Sequence, residues 1–165
     1  MDRDYFQHPR RFPDNVEGPF YTTGQPRGAA DDPNSPLGWC GDCLWCGAPE
    51  AIAPTLYAPF DDTYTETYFV RQPLTPEETQ EAIASALVCC TGAVRYGGRD
   101  LVIIAQLGNN PRYCDYIATE SGELKCTVGE DGKLLSFAQA IADKLKAEAD
   151  RQWKLKQRKW WQFWR

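Results

Sequence analysis

The hydrophobic and polar positions of this chain change their spacing every few residues, which predicts several short elements followed by one long one. Aromatic and β-branched residues at 19–23, 65–72 and 93–96 favour strands. The segment 24–38 has turn residues and no apolar period, and it predicts an irregular loop. The chain therefore carries both strand and helix patterns.

The clearest helix signal begins at Thr75. This residue is expected to cap the helix, with Pro76 at the first helical position and Glu78 returning the capping-box hydrogen bond. Shorter helices are predicted at 49–53 and 100–107. Along the Thr75 helix, apolar residues recur at helical spacing, namely Ile83, Ala86, Leu87 and Cys90.

After residue 117 the pattern changes to a hairpin and a long helix. A hairpin is predicted at 123–135, with its turn at 130–132. Ser136 is expected to cap an amphipathic helix that runs towards Arg165. One side of that helix carries Phe137, Ala138, Ala142, Leu145, Ala149, Trp153, Trp160 and Trp164.

The charge of the chain is divided unevenly. The 165 residues include 18 basic and 23 acidic side chains, for a net charge of −5. Six basic residues and no acidic ones lie within 151–165, so residues 1–150 carry a net charge of −11. An acidic body is expected to repel phosphate, which argues against nucleic acid as a partner. It favours a redox protein or a larger complex that presents a basic rim.

The basic end is also rich in tryptophan, with four of the six in the last 13 residues. This composition is typical of a helix that docks in the groove of a protein partner, or of one that lies on a membrane surface. A third interpretation is that the helix packs on its own domain. The residues expected to contact a partner are Trp153, Lys156, Lys159, Trp160 and Trp164.

Nothing in the sequence predicts export or membrane insertion. The first 12 residues are charged and no apolar segment follows them, and no apolar run is long enough to span a bilayer. We therefore expect a cytoplasmic protein, peripheral to a membrane if the basic helix binds lipid. Because His8 is the single histidine, multi-histidine metal sites and histidine-based triads are excluded.

Five of the seven cysteines fall into two groups. Cys40, Cys43 and Cys46 form a C-x2-C-x2-C run, and Cys89 and Cys90 are adjacent. In a reducing compartment such groups indicate metal or redox chemistry more often than disulfides. Zinc suits C-x2-C spacing too, but less well, because a second such pair or histidines would be needed. The alternative is that these cysteines are small apolar core residues.

Three features together resemble the single-cluster bacterial ferredoxins, over about residues 17–117. They are the C-x2-C-x2-C run, an Ala-Pro-containing helix after it, and a remote helix that ends in cysteine before Gly92-Ala93-Val94. The resemblance implies an α+β fold, with a ferredoxin-like domain of short strands and two helices. It also implies an iron–sulfur cluster, 4Fe-4S rather than 3Fe-4S, held by the five grouped cysteines. The remaining parts are then an arm at 1–16 and the hairpin and helix at 118–165.

Two alignments with the ferredoxin motif remain open. In one, all three cysteines of the run are ligands, and the Ala-Pro helix comes two residues early. In the other, Cys43 and Cys46 are the first two ligands and the helix aligns. Pro49 then takes the place of the third cysteine, and Cys40 or Cys90 completes the set. Which of the adjacent cysteines is the remote ligand also stays open.

The function that the resemblance implies is electron transfer, alone or as part of a larger redox complex. The alternative is a cluster-free adaptor that keeps the fold and binds other proteins. An enzymatic role is not expected, because no base–nucleophile arrangement is found in the sequence.

Overall fold

The computed structural model describes residues 4–26, 38–44, 46–58 and 66–163, with side chains up to Gln157. It shows a mixed α+β protein with small antiparallel sheets and a long C-terminal helix, which confirms the predicted class. In chain order the elements are β1 (Phe20–Thr22), β2 (Gly24–Pro26), β3 (Trp39–Gly41), α1 (Ala48–Ile52), α2 (Pro76–Val88), β4 (Val94–Tyr96), α3 (Leu101–Gln106), β5 (Tyr116–Ala118), β6 (Leu124–Cys126) and α4 (Ser136–Phe163).

The strands of the described residues form three antiparallel pairs, β1 with β4, β2 with β3, and β5 with β6. The first pair joins distant parts of the chain, with Tyr21 opposite Arg95. The second places Gln25 opposite Cys40. The interpretation of 24–38 as an irregular loop was therefore wrong for β2, which begins at Gly24; residues 27–37 lie outside the described residues.

Helix α2 begins as the sequence predicts. The Thr75 hydroxyl oxygen accepts a hydrogen bond from the Glu78 backbone N–H at 3.2 Å. The Glu78 carboxylate accepts from the Leu74 N–H at 2.8 Å and pairs with Arg71 at 2.7 Å. These contacts fix the start of the helix that carries Cys89 at its other end.

The end of α2 differs from the predicted helical period. Ile83 and Ala86 are buried as expected, but Leu87 is 46% exposed and Cys90 is exposed. The helix ends at Val88, and Cys89 has extended backbone with φ −64° and ψ 104°. Because the period of 3.6 residues stops there, the chain buries Cys89 instead of Cys90.

The predicted strand at 65–72 is wrong for the described residues 66–72, which form only an isolated bridge from Phe69 to Tyr57; residue 65 lies outside them. The backbone groups there find irregular partners. The Val70 N–H donates to the Leu56 carbonyl at 2.9 Å, and the Phe69 N–H donates to Asn15 Oδ1 at 3.1 Å. Phe69 is fully buried, so the aromatic composition reflects core packing and not a strand.

The predicted hairpin is shifted towards the N-terminus. Strand β6 pairs with β5 through a turn at 119–123, in which Gly122 has a φ of 80°. The turn at 130–132 closes only a single bridge between Val128 and Leu134.

Among the described side chains of helix α4, those that are buried or half-buried lie in its first part. Ala138 is fully buried, Phe137 and Leu145 are half-buried, and every side chain from 146 to 157 is exposed. The interpretation that this helix packs on its own domain along its length was therefore wrong for 146–157. Within the described ranges, no helix has both the length and the apolar character that crossing a membrane requires.

Candidate functional site

The structure places the five predicted ligand cysteines at different depths. Cys40 lies in β3 and is half-buried, and Cys43, also half-buried, packs against the main hydrophobic core. Cys89 is 3% exposed, whereas Cys46 and Cys90 are exposed. None of them is in a disulfide.

Two side-chain contacts help to attach the loop with the first three cysteines to the body. Asp42 accepts two hydrogen bonds from Arg10, at 2.6 and 2.7 Å. The Gly41 N–H donates to Glu66 Oε2 at 2.8 Å, and a Cβ at Gly41 would lie 2.3 Å from that oxygen. A larger residue at position 41 would therefore displace the Glu66 carboxylate. Both anchors lie between Cys40 and Cys43 in the sequence, so they set where these thiols lie.

A tight turn after α2 orients Cys89. Its carbonyl accepts from the Gly92 N–H at 3.1 Å, and Gly92 has a φ of 72°, a left-handed conformation that favours glycine. The Cys89 thiol lies 3.4 Å from the Thr91 hydroxyl oxygen. The turn thus holds the sulfur inward beside a hydroxyl group.

Cys89 and Tyr57 belong to the same hydrophobic core, and Cys43 packs against it. The Tyr57 hydroxyl lies 2.6 Å from Ser85 Oγ in the core. Burial raises the pKa of Tyr57 well above 10, and the nearby Cys89, Glu50 and Cys43 raise it further. One cysteine from each group therefore lies at the core that contains Tyr57.

The carboxylate of Glu50, which also raises the pKa of Tyr57, has one oxygen with a hydrogen-bond partner and one without in the described part of the chain. Its Oε1 accepts a hydrogen bond from the Thr67 hydroxyl at 2.5 Å. Its Oε2 is buried and has no hydrogen-bond partner among the described residues. A buried polar atom without a partner is costly and calls for an explanation, such as an ion or water bound there.

Thiols and an unpaired carboxylate oxygen are groups that bind metals, but these side chains are not arranged as a metal site. No three or more histidine, cysteine or acidic side chains of the described ranges are arranged to hold a metal ion. Of the five predicted ligands, Cys89 belongs to the main hydrophobic core and Cys43 packs against that core. Cys46 and Cys90 have exposed positions.

The other two cysteines are outside the predicted ligand set. Cys114 is fully buried in the core, and this burial raises the pKa of its thiol to about 12. The Cys126 thiol donates to the Val128 carbonyl at 3.5 Å. Because its pKa is about 12, the Cys114 thiol stays protonated and unreactive at neutral pH.

The predicted partner-binding residues lie on the far part of α4. Trp153 is 63% exposed and Lys156 is exposed. Lys159 and Trp160 belong to the helix, but their side chains are outside the described part of the chain, as is all of Trp164.

A buried charged cluster was not predicted from the sequence. Arg95 donates twice to Asp115 Oδ1, at 2.9 and 2.7 Å, and the Tyr21 hydroxyl donates to Asp115 Oδ2 at 2.5 Å. Asp115 is fully buried and Arg95 is 7% exposed. The one signal in the sequence is a charged residue between Val94 and Tyr96 in an apolar strand.

No protein-family model, curated protein or solved structure matches this chain.

Proposed function

We propose that this protein is an iron–sulfur electron carrier in which Cys43 and Cys89 are the inner cluster ligands. The supporting observation is that these cysteines, 46 positions apart in the sequence, lie at one hydrophobic core: Cys89 belongs to it and Cys43 packs against it. Cys40 and Cys46, on the loop held by Asp42, are the proposed remaining ligands. A 4Fe-4S cluster, when bound, supplies a one-electron couple through thiolate ligands.

Cys89 is a better remote ligand than Cys90. Cys89 is buried next to Tyr57, whereas Cys90 is exposed, and its backbone carbonyl accepts a hydrogen bond from Arg112. A ligand at the Cys89 position is shielded from water by α2. The Thr91 hydroxyl, 3.4 Å from the Cys89 sulfur, can donate to a thiolate there, and such hydrogen bonds raise the reduction potential.

The surface charge fits a carrier that meets a basic partner. Residues 1–150 have a net charge of −11, and opposite charge on a redox partner would speed their encounter. We expect the rate of electron exchange to fall as ionic strength rises, because salt screens these charges.

A cluster-free adaptor is the second candidate, and the exposed part of α4 favours it. Trp153 and Leu155 are 63% and 47% exposed among basic residues, a combination that suits a protein groove or a lipid surface. In this alternative the cysteines serve only as core and surface residues.

Iron and acid-labile sulfide in anaerobically purified protein test the proposal. We expect stoichiometric iron and sulfide in the wild type, with strong loss in Cys43→Ser and in Cys89→Ser. Cys90→Ser and Cys126→Ser are matched controls that should keep the metal. Because Cys89 is buried, thermal unfolding of each variant separates loss of metal from loss of fold. A colourless wild type that takes up no iron on anaerobic reconstitution would leave only the adaptor.

A further inference from the structure

A cleft on the surface has more positive than negative side chains in its lining, whereas the body as a whole is negatively charged. It has a volume of about 610 Å³ and lies between the N-terminal segment, the turn after α2 and the turn at 129–132. Four cationic side chains line it, Arg10, Arg95, Arg112 and Lys133, against one carboxylate, Asp42. A body with a net charge of −11 therefore contains a locally positive cavity of the size that binds small molecules.

Two of the four cations are already paired. Arg10 makes its two short contacts to Asp42, and Arg95 is bound to buried Asp115 and to three backbone carbonyls. Arg95 therefore has few donors left for a ligand.

The other two cations are available to a ligand. Arg112 stacks over Tyr113, with 5.8 Å from its guanidinium carbon to the ring centroid, and donates to the Cys90 carbonyl. It contacts no carboxylate among the residues that the structure describes. Lys133 is exposed and lies 3.4 Å from the similarly exposed Asp131, a contact that water screens.

His8 reports the positive potential inside the cleft. Its side chain lines the wall, and burial together with Arg95, Arg10 and Arg11 lowers its pKa from 6.5 to about 3. The ring is therefore neutral at physiological pH. Its Nδ1 accepts from the Arg10 N–H at 3.0 Å.

We infer that this cleft binds a small oxyanionic molecule, one that carries phosphate or carboxylate groups, through Arg112 and Lys133. A guanidinium group matches the geometry of either oxyanion and binds it with two parallel hydrogen bonds. Arg112 and Lys133 come from separate loops, so one ligand of several atoms would contact both. The inference does not depend on a cluster, because none of these side chains is a cysteine.

The ligand would lie next to the Cys89 turn. Thr91 and Gly92 line the cleft, and a Cβ at Gly92 would lie 2.9 Å from Arg112 Nε. Arg112 thus packs directly on the turn that positions the Cys89 thiol. An anion bound by Arg112 would change the electrostatic potential at that turn.

Isothermal titration calorimetry of the full chain with pyrophosphate and with citrate tests the inference. We expect saturable 1:1 binding of at least one probe, and the tighter one identifies phosphate or carboxylate as the preferred group. Arg112→Ala should weaken binding about ten- to a hundredfold, the effect of losing a charge-assisted pair. Lys133→Ala should weaken it by a smaller factor, and Lys144→Ala, an exposed change on α4, should not alter it.

Two results would overturn the inference. One is the absence of saturable binding of either probe at millimolar concentration. The other is binding that Lys133→Ala and Arg112→Ala leave unchanged. Because Arg112 also holds the Cys90 carbonyl, its variant is judged only if it unfolds at the wild-type temperature. Lys133 is exposed and gives the same test without that risk.

Discussion

Replacing Asp115 with alanine gives the sharpest test of what stabilises the fold. The Asp115 carboxylate is fully buried and accepts hydrogen bonds from Arg95 and Tyr21. Without it, the Arg95 guanidinium is left 7% exposed with no counter-charge in contact, and the Tyr21 hydroxyl loses its acceptor. Both groups would stay buried without their partner unless the protein unfolds. The substitution is therefore expected to lower the free energy of unfolding of the whole protein.

The magnitude follows from the burial of the pair. Removing one partner of a buried ion pair costs about 3–5 kcal/mol, because the other charge remains desolvated. A buried hydroxyl without a partner costs about 1–3 kcal/mol more. We therefore expect Asp115→Ala to lower the free energy of unfolding by about 4–8 kcal/mol, which at ~2–4 °C per kcal/mol lowers the unfolding temperature by about 8–32 °C.

Urea unfolding followed by circular dichroism measures this change. Tyr21→Phe removes only the hydroxyl and should cost about 1 kcal/mol. Lys133→Ala breaks the exposed pair with Asp131 and should leave the midpoint almost unchanged, because water screens that pair. Replacing both partners together, Arg95→Met with Asp115→Leu, should recover part of the loss. If Asp115→Ala were as stable as Tyr21→Phe, the buried pair would not stabilise the fold in the way described.

Three further predictions concern other parts of the molecule. The pKa of His8 falls from 6.5 to about 3 on folding, so the unfolded chain binds a proton that the folded chain does not. Stability should therefore be full above pH 6.5 and fall towards pH 3 by up to about 1.4 kcal/mol per pH unit; urea titrations across that range should show a flatter profile for His8→Asn. Gly98→Ala would place a Cβ 2.3 Å from the hydroxyl oxygen of buried Tyr96, and it should cost about 1–3 kcal/mol in the same assay; a wild-type midpoint would contradict this packing. Deleting residues 150–165 should leave the unfolding temperature unchanged, because the described side chains from 150 to 157 are exposed, and a clear drop would show that this part of α4 contacts the body.

The sequence predicts the helices and strands that depend only on residues close together in the chain. Helix α2 begins at a cap within four residues of sequence, from Thr75 to Glu78, and the structure has the same cap. Helix α1 and strand β4 also lie where the pattern predicts them.

The contacts that join distant segments were not predictable in this way. Strand β6 pairs with β5 because of a turn around Gly122, while the stronger turn signal at 130–132 lies further along the chain. The segment 66–72 has the composition of a strand, but its backbone bonds to Asn15 and Leu56, far away in the sequence.

For the candidate site, the spacing of the cysteines reveals the two cysteine groups, but it does not show which of Cys89 and Cys90 is buried. Helical periodicity points to Cys90 as the buried member, whereas the extended backbone at Cys89 reverses the order. The Arg10–Asp42 anchor and the cationic cleft each depend on residues from separate loops. No periodicity in a single segment indicates such contacts.

The length and position of α4 give the molecule a large electric dipole. At 1.5 Å per residue its 28 residues extend about 42 Å, and six positive charges lie within 151–165, against −11 on the rest. Near any anionic surface the molecule would turn so that the C-terminal end of the helix faces that surface. The cysteine loop and the cationic cleft, both on the negatively charged part, would then be held away from it.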